Sequence, residues 1–71
     1  MVDIGGRQYG AEVAPGVGGD GKRLELADEA GQVIAEITRT DAGAMGLTTY
    51  RWSLPLDAVE WLIAEARERL E

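Results

Sequence analysis

The sequence predicts an α+β fold in which an antiparallel sheet of three to four strands, in meander order, packs against one C-terminal amphipathic helix. Two observations lead to this prediction. The C-terminal segment repeats apolar residues at helical spacing, whereas the upstream part has short alternating runs separated by glycine. Elements with short connections usually lie side by side, which favours hairpins between successive strands.

The helix is predicted from Pro55 to Leu70. Proline suits the first helical turn, because the N–H that it lacks would have no partner there, and Ser53 is a candidate cap. Glu65 and Arg69 form a favourable pair one turn apart. The apolar residues that should pack on the sheet are Leu56, Val59, Leu62, Ile63, Ala66 and Leu70.

Four runs ahead of the helix have strand character, because alternate residues are apolar or because Thr, Tyr and Trp are frequent. They cover residues 8–13, 22–27, 32–39 and 47–53. The turn-forming segments between them are short enough for hairpins. Residues 20–30 also tolerate a helix, since Lys, Leu, Glu and Ala are good helix formers.

The composition limits the available chemistry. The 71 residues predict one small domain, residues 1–71, in which the final Leu70-Glu71 has the form of a cloning junction. Without cysteine or histidine there is no thiolate, no imidazole base and no disulfide. We therefore expect no enzyme, no cofactor and no metal. The apolar runs are far too short to span a membrane and no leader is recognisable, so we expect a cytoplasmic protein.

The charge balance bears on the kind of partner. Thirteen acidic and seven basic side chains give a net charge of −6. An acidic chain repels a phosphate backbone at long range, which argues against nucleic-acid binding that is independent of sequence.

Residues 16–23 read Gly-Val-Gly-Gly-Asp-Gly-Lys-Arg and match two phosphate-loop patterns in part. The Walker pattern needs Ser or Thr after Lys22, where this chain has Arg23. Both patterns also need a helix that begins within the loop, whereas Leu24-Glu25-Leu26 has strand character. We therefore expect a mobile hairpin loop that binds no nucleotide.

The predicted helix carries the densest group of carboxylates in the chain. Paired carboxylates act as acid and base, or bind a hard cation, when their surroundings bury them. Helical spacing turns most of these side chains away from the apolar stripe, so we expect a solvated face without a catalytic or metal role. The four residues are Asp57, Glu60, Glu65 and Glu68.

Basic and aromatic residues of the strands support a second functional hypothesis, a sheet that stacks single-stranded nucleic acid. Strand alternation places Arg51 on the opposite face from Tyr50 and Trp52, which favours burial of these two aromatics beneath the helix instead. The contact residues in this hypothesis are Lys22, Arg23, Arg39, Tyr50 and Trp52.

The order of several strands followed by an amphipathic helix, entered through Ser53-Leu54-Pro55-Leu56, resembles the single-strand-binding coactivator and Whirly families. The resemblance covers residues 22–70 and implies a single-stranded nucleic-acid ligand. The chain lacks the lysine-rich sheet of those families.

Trp61 stands apart from the predicted apolar stripe. On a helical wheel it lies opposite Val59 and Ile63, and tryptophan is enriched at interface hot spots. The sequence therefore predicts a non-enzymatic interaction module that forms a homodimer or binds another protein through this side of the helix. Cover of Trp61 by residues 1–6 and simple exposure to solvent are the alternatives. The predicted contact surface consists of Trp61, Ala58, Glu65 and Glu68.

Overall fold

The computed structural model describes residues 1–70, which form five strands, a 3₁₀ turn and one helix. The 3₁₀ turn covers Val17–Gly19, and the helix, α1, covers Leu56–Arg69. The α+β class, the antiparallel meander and the C-terminal helix are confirmed, while the sheet has five strands rather than three to four. The strands are β1 (Val2–Ile4), β2 (Arg7–Pro15), β3 (Lys22–Ala27), β4 (Val33–Arg39) and β5 (Met45–Thr49).

Each strand pairs with its neighbour in sequence, so the sheet order is β1-β2-β3-β4-β5. In β2, residues 7–9 pair with β1 and residues 10–15 pair with β3. Across the centre of the sheet, Leu24 faces Ile37 and Ile37 faces Leu47. Because alternate residues point to opposite faces, these three share the face on which α1 packs. The other face, which we call the open face, carries no helix within residues 1–70.

β1 is the strand that the sequence prediction missed. It has three residues, too few for alternation to be recognised. A Gly5-Gly6 turn with φ angles of 60° and 81° joins it to β2. Glycine adopts positive φ without steric cost, and a two-residue loop of this kind between apolar runs is a strong hairpin signal.

Residues 22–27 form β3, so the alternative of a helix over residues 20–30 is wrong. A strand on each side satisfies the backbone groups that a helix would have satisfied internally. On the β4 side, a bulge makes Ile34 an extra residue in the ladder. Ile34 and Ala35 are therefore both buried although they are neighbours in sequence.

The last predicted strand, residues 47–53, is displaced. β5 covers Met45–Thr49 and the chain then bends towards the helix. Tyr50 and Trp52 follow the strand and are exposed, Trp52 completely. The prediction that these two aromatics are core residues is wrong. It assumed that strand alternation continues through Tyr50 and Trp52, whereas the strand ends before them.

The helix presents a different face to the sheet than its periodicity predicts. Small side chains at two positions allow the backbone to approach β3 and β4 closely, so that two leucines fill the remaining space. Burial of Leu62 is confirmed, whereas burial of Ile63 and Leu56 is wrong, since they are 37% and 71% exposed. The buried positions of the helical segment are Ala58, Leu62, Ala66 and Leu70.

Both ends of the helix differ from the prediction made from the sequence. α1 begins at Leu56 with Pro55 in the cap position, and among the described residues no side chain caps it, so the prediction for Ser53 is wrong. Leu70, which the sequence assigns to a cloning junction, is 1% exposed and belongs to the core. Glu71, the other residue of that junction, lies outside the described residues.

In the described part of the chain, no helix has the length and apolar character needed to cross a bilayer.

Candidate functional site

The surface predicted around Trp61 is not a continuous exposed face. Ala58 is buried beneath the helix, and Trp61 is half-buried and packs against the core. α1 contacts β1 as well as β3 and β4, which favours cover of Trp61 by the N-terminal segment. Glu65 is half-buried and lies 3.9 Å from Arg69, as the sequence predicts, whereas Glu68 is exposed.

The residues predicted to contact nucleic acid fall on separate surfaces. Lys22 and Arg39 are cross-strand partners on the helix side of the sheet. Arg23 lies on the open face, where the Tyr50 phenol also reaches Glu36, and Trp52 lies in the segment that follows β5. The structure therefore does not bring these five residues into one basic and aromatic platform.

The open face carries a row of acidic residues. The register places Glu12 opposite Glu25 and Glu25 opposite Glu36. Arg23 reduces their mutual repulsion, since its guanidinium lies 3.7 Å from Glu25 and 3.9 Å from Glu36. A phosphate backbone would meet more acidic than basic groups here, which does not favour the nucleic-acid hypothesis.

Glu36 is the buried charged residue of this row, at 7% exposure. Tyr50 donates a hydrogen bond to its Oε1. Among residues 1–70, Glu36 Oε2 and Arg23 Nε have no hydrogen-bond partner. The bond to the Glu36 carboxylate raises the pKa of the Tyr50 phenol above its ordinary value, because the neutral phenol is the form that can donate. This bond ties the segment after β5 to β4.

Asp28 fixes the turn between β3 and β4. Its Oδ1 accepts hydrogen bonds from the backbone N–H groups of Gln32 and Ala30, both at 3.0 Å. Its Oδ2 is paired with the guanidinium of Arg51, which follows β5. The hydrogen bond from Gln32, supported by Arg51, holds the pKa of Asp28 below its ordinary value.

A cleft of about 390 Å³ lies beside this ion pair, between the first residues of β2, the turn after β3 and the loop that leads into α1. Its volume falls within the range of small-molecule sites. Arg7 and Arg51 are balanced by Asp28 and Glu29, so the charges of the lining select neither an anion nor a cation. Residues 1–70 contain no group of three or more acidic side chains placed to hold a metal ion.

The glycine-rich loop is held to the turn between β4 and β5. Asp41 Oδ1 accepts the N–H of Gly21 at 3.1 Å, and Asp20 Oδ1 accepts the N–H of Asp41 at 3.0 Å. A Cβ at Gly21 would overlap the carbonyl oxygen of Arg39, so this close approach requires glycine. The loop leads into β3, and the backbone does not form the strand, loop and helix of a phosphate site.

β5 is an edge strand, and within residues 1–70 no strand lies on its outer side. All five of its residues are exposed, and its sequence, Met-Gly-Leu-Thr-Thr, has neither charge nor proline. The other free edges are protected. β1 is short and contains Asp3, while the outer edge of residues 10–15 carries Glu12 and ends at Pro15. β5 therefore has the composition of an edge that can accept another strand.

An apolar depression of about 190 Å³ separates β5 from α1. Leu47 is 46% exposed and stands on the strand side, while Ile63 stands on the helix side. The sequence pattern does not indicate this site, because it predicts Ile63 in the core and the start of the last strand at Leu47. The lining residues are Ile37, Met45, Gly46, Leu47, Ile63 and Arg67.

Comparison of the sequence with models of known protein families and with curated proteins, and of the structure with solved structures, gives no match. The resemblance to the single-strand-binding coactivator and Whirly families is thus limited to the order of elements.

Proposed function

We propose that the chain is a non-enzymatic protein-interaction module that self-associates through β5 and the neighbouring side of α1. The unprotected β5 edge, beside an apolar depression, is the observation that carries this proposal. An exposed and uncharged edge strand readily pairs with another strand. Main-chain hydrogen bonds then supply affinity, and the neighbouring apolar side chains add buried area.

The proposed contact differs in position from the surface predicted around Trp61. Ile63 and Leu56 lie seven residues apart on α1, about two helical turns, and both are exposed. Ile63 lines the depression beside β5, whereas Trp61 packs against the core. The helix thus offers its exposed apolar side chains to the β5 side, which supports a contact there.

We expect the association to be weak. A stable interface of standard size buries about 800 Å² per partner, which is roughly a sixth of the 4556 Å² surface of the described chain. A pair of five-residue strands covers less than this. The Kd should therefore lie in the micromolar range or above.

Sedimentation velocity over a range of concentrations tests the proposal. The wild-type sedimentation coefficient should rise with concentration, and Leu47→Lys should remain monomeric, because a lysine on the strand edge opposes pairing. Val13→Lys is the matched control. Val13 is also an exposed apolar residue on the helix side of the sheet, but it lies on β2, so this variant should associate like the wild type. Circular dichroism checks that both variants are folded.

Two outcomes would change the assignment. Glu68→Arg alters the Trp61 side of α1, and a loss of association in this variant, with Leu47→Lys unaffected, would return the contact to the surface predicted from the sequence. A wild-type chain that stays monomeric up to millimolar concentration would refute self-association.

A further inference from the structure

The free backbone groups of β5 can be identified from its pairing with β4. Tyr50 N–H donates to the Ile34 carbonyl and Thr40 N–H donates to the Ala44 carbonyl, both at 2.9 Å. Hydrogen-bonded pairs alternate with non-bonded pairs in an antiparallel ladder, so the even-numbered residues of β5 face β4. The N–H and C=O groups that point outward therefore belong to Met45, Leu47 and Thr49.

We infer that a second copy of the chain adds its own β5 to this edge, antiparallel, with Leu47 opposite Leu47 of the second copy. The inference rests on the proposed function and specifies its partner and register. In this register Met45 faces Thr49 of the second copy, so all three outward-pointing residues find partners. Three such pairs with two bonds each give six main-chain hydrogen bonds.

The neighbouring registers of the two β5 strands give partners to fewer of the outward-pointing backbone groups. If β5 of the second copy is shifted in one direction, Thr49 lies opposite Gly43 of that copy. The N–H of Gly43 already donates to the Thr40 carbonyl at 2.9 Å. A shift in the other direction opposes Met45 to Arg51, which lies beyond the strand and is held by Asp28. The register centred on Leu47 is therefore the one that uses the whole edge.

Charge favours a second copy as the occupant. The chain has a net charge of −6, yet it has no acidic residue between Asp41 and Asp57, and β5 lies within this stretch. Pairing through β5 places uncharged residues opposite each other and keeps the acidic groups of the open face apart. Leu47 meets its own copy on the helix side, and Gly46 meets Thr48 on the open face, where glycine leaves room.

Single cysteines test this register cleanly, because the chain contains no cysteine. In a hydrogen-bonded antiparallel pair the Cα atoms are about 5.5 Å apart, within the range of disulfides. Leu47→Cys should therefore form a covalent dimer under mild oxidation. Thr48→Cys is the matched control, since the two copies of residue 48 would be diagonal neighbours about 7 to 8 Å apart, beyond the reach of a disulfide. We expect about tenfold more covalent dimer from Leu47→Cys than from Thr48→Cys.

A second pair of variants keeps Leu47 in place. An equimolar mixture of Met45→Cys and Thr49→Cys proteins should give the mixed disulfide, and each protein alone should give little dimer. If the wild type associates and Leu47→Lys abolishes this, but neither cysteine experiment gives the expected dimer, the register is wrong and the proposed function stands. If the wild type does not associate at all, both proposals fall.

Discussion

Asp28 concentrates three interactions on one carboxylate. It accepts two backbone N–H groups in its own turn and pairs with Arg51 in the segment that leads to α1. The carboxylate thereby joins a local turn to a distant part of the chain. All three contacts stabilise the ionised form of Asp28, so the contribution of this carboxylate to the stability of the fold depends on pH.

The lowered pKa of Asp28 gives this dependence its sign. Stabilisation should be complete above the ordinary aspartate pKa of about 3.9 and should be lost as the pH falls through the lower pKa of the folded state. We expect the wild type to be more stable than Asp28→Asn at neutral pH, and this difference to shrink below about pH 4. Urea unfolding at a series of pH values measures it. A difference that is constant with pH would contradict the assignment, and Glu29→Gln serves as the control.

At the scale of elements, the orientation of α1 predicts how two adjacent residues respond to the same change. Leu62 is fully buried against the sheet, whereas Ile63 borders the exposed depression. Leu62→Ala should cost about 2 to 5 kcal/mol, enough to unfold much of so small a domain. Ile63→Ala should cost clearly less, because part of its side chain is already in water. Denaturant unfolding of both variants measures this, and equal losses would mean that α1 packs as its periodicity predicts.

The elements differ in how far the sequence could predict them. β3 was predicted with its bounds, because Leu24 and Leu26 alternate with charged residues. α1 was predicted as a helix but not in its rotation, since apolar residues such as Ile63 and Trp61 lie on both sides of the buried stripe. Ala58 was assigned to the surface, although a small residue is what close packing requires. Periodicity records where apolar residues recur and does not record how closely two elements approach.

The candidate site was harder to predict than the fold. The importance of β5 depends on its position at the edge of the sheet, which no local pattern in Met45–Thr49 reports. The exposure of Ile63 depends on the rotation of α1. Both are properties of the assembled sheet and helix, so the sequence directed attention to Trp61 instead.

At the scale of the whole molecule, net charge separates the two functional hypotheses. Two copies that each carry a charge of −6 repel each other, and salt screens this repulsion. Self-association should therefore strengthen between about 0.05 M and 0.5 M salt, as the screening length falls. Binding of a single-stranded oligonucleotide would weaken over the same range, because salt opposes the release of counterions.

Sedimentation of the chain and fluorescence anisotropy of a labelled oligonucleotide measure the two salt dependences side by side. Oligonucleotide binding that is lost in added salt and on replacement of Arg23 and Arg39 would favour the nucleic-acid hypothesis. Self-association that weakens in added salt would show that the contact depends on charged groups rather than on β5.

The meander also determines the order in which the chain can fold. Every strand pairs with its neighbour in sequence, so each hairpin closes only a short loop and loses little entropy. The contact between α1 and β1 is different, because it joins residues from opposite ends of the chain. This contact therefore carries the largest closure cost, and hairpins should form in microseconds while docking of α1 follows more slowly. The rate-limiting step of folding should accordingly be slowed by substitutions at Leu62, and substitutions in the Gly5-Gly6 turn should act on an earlier step.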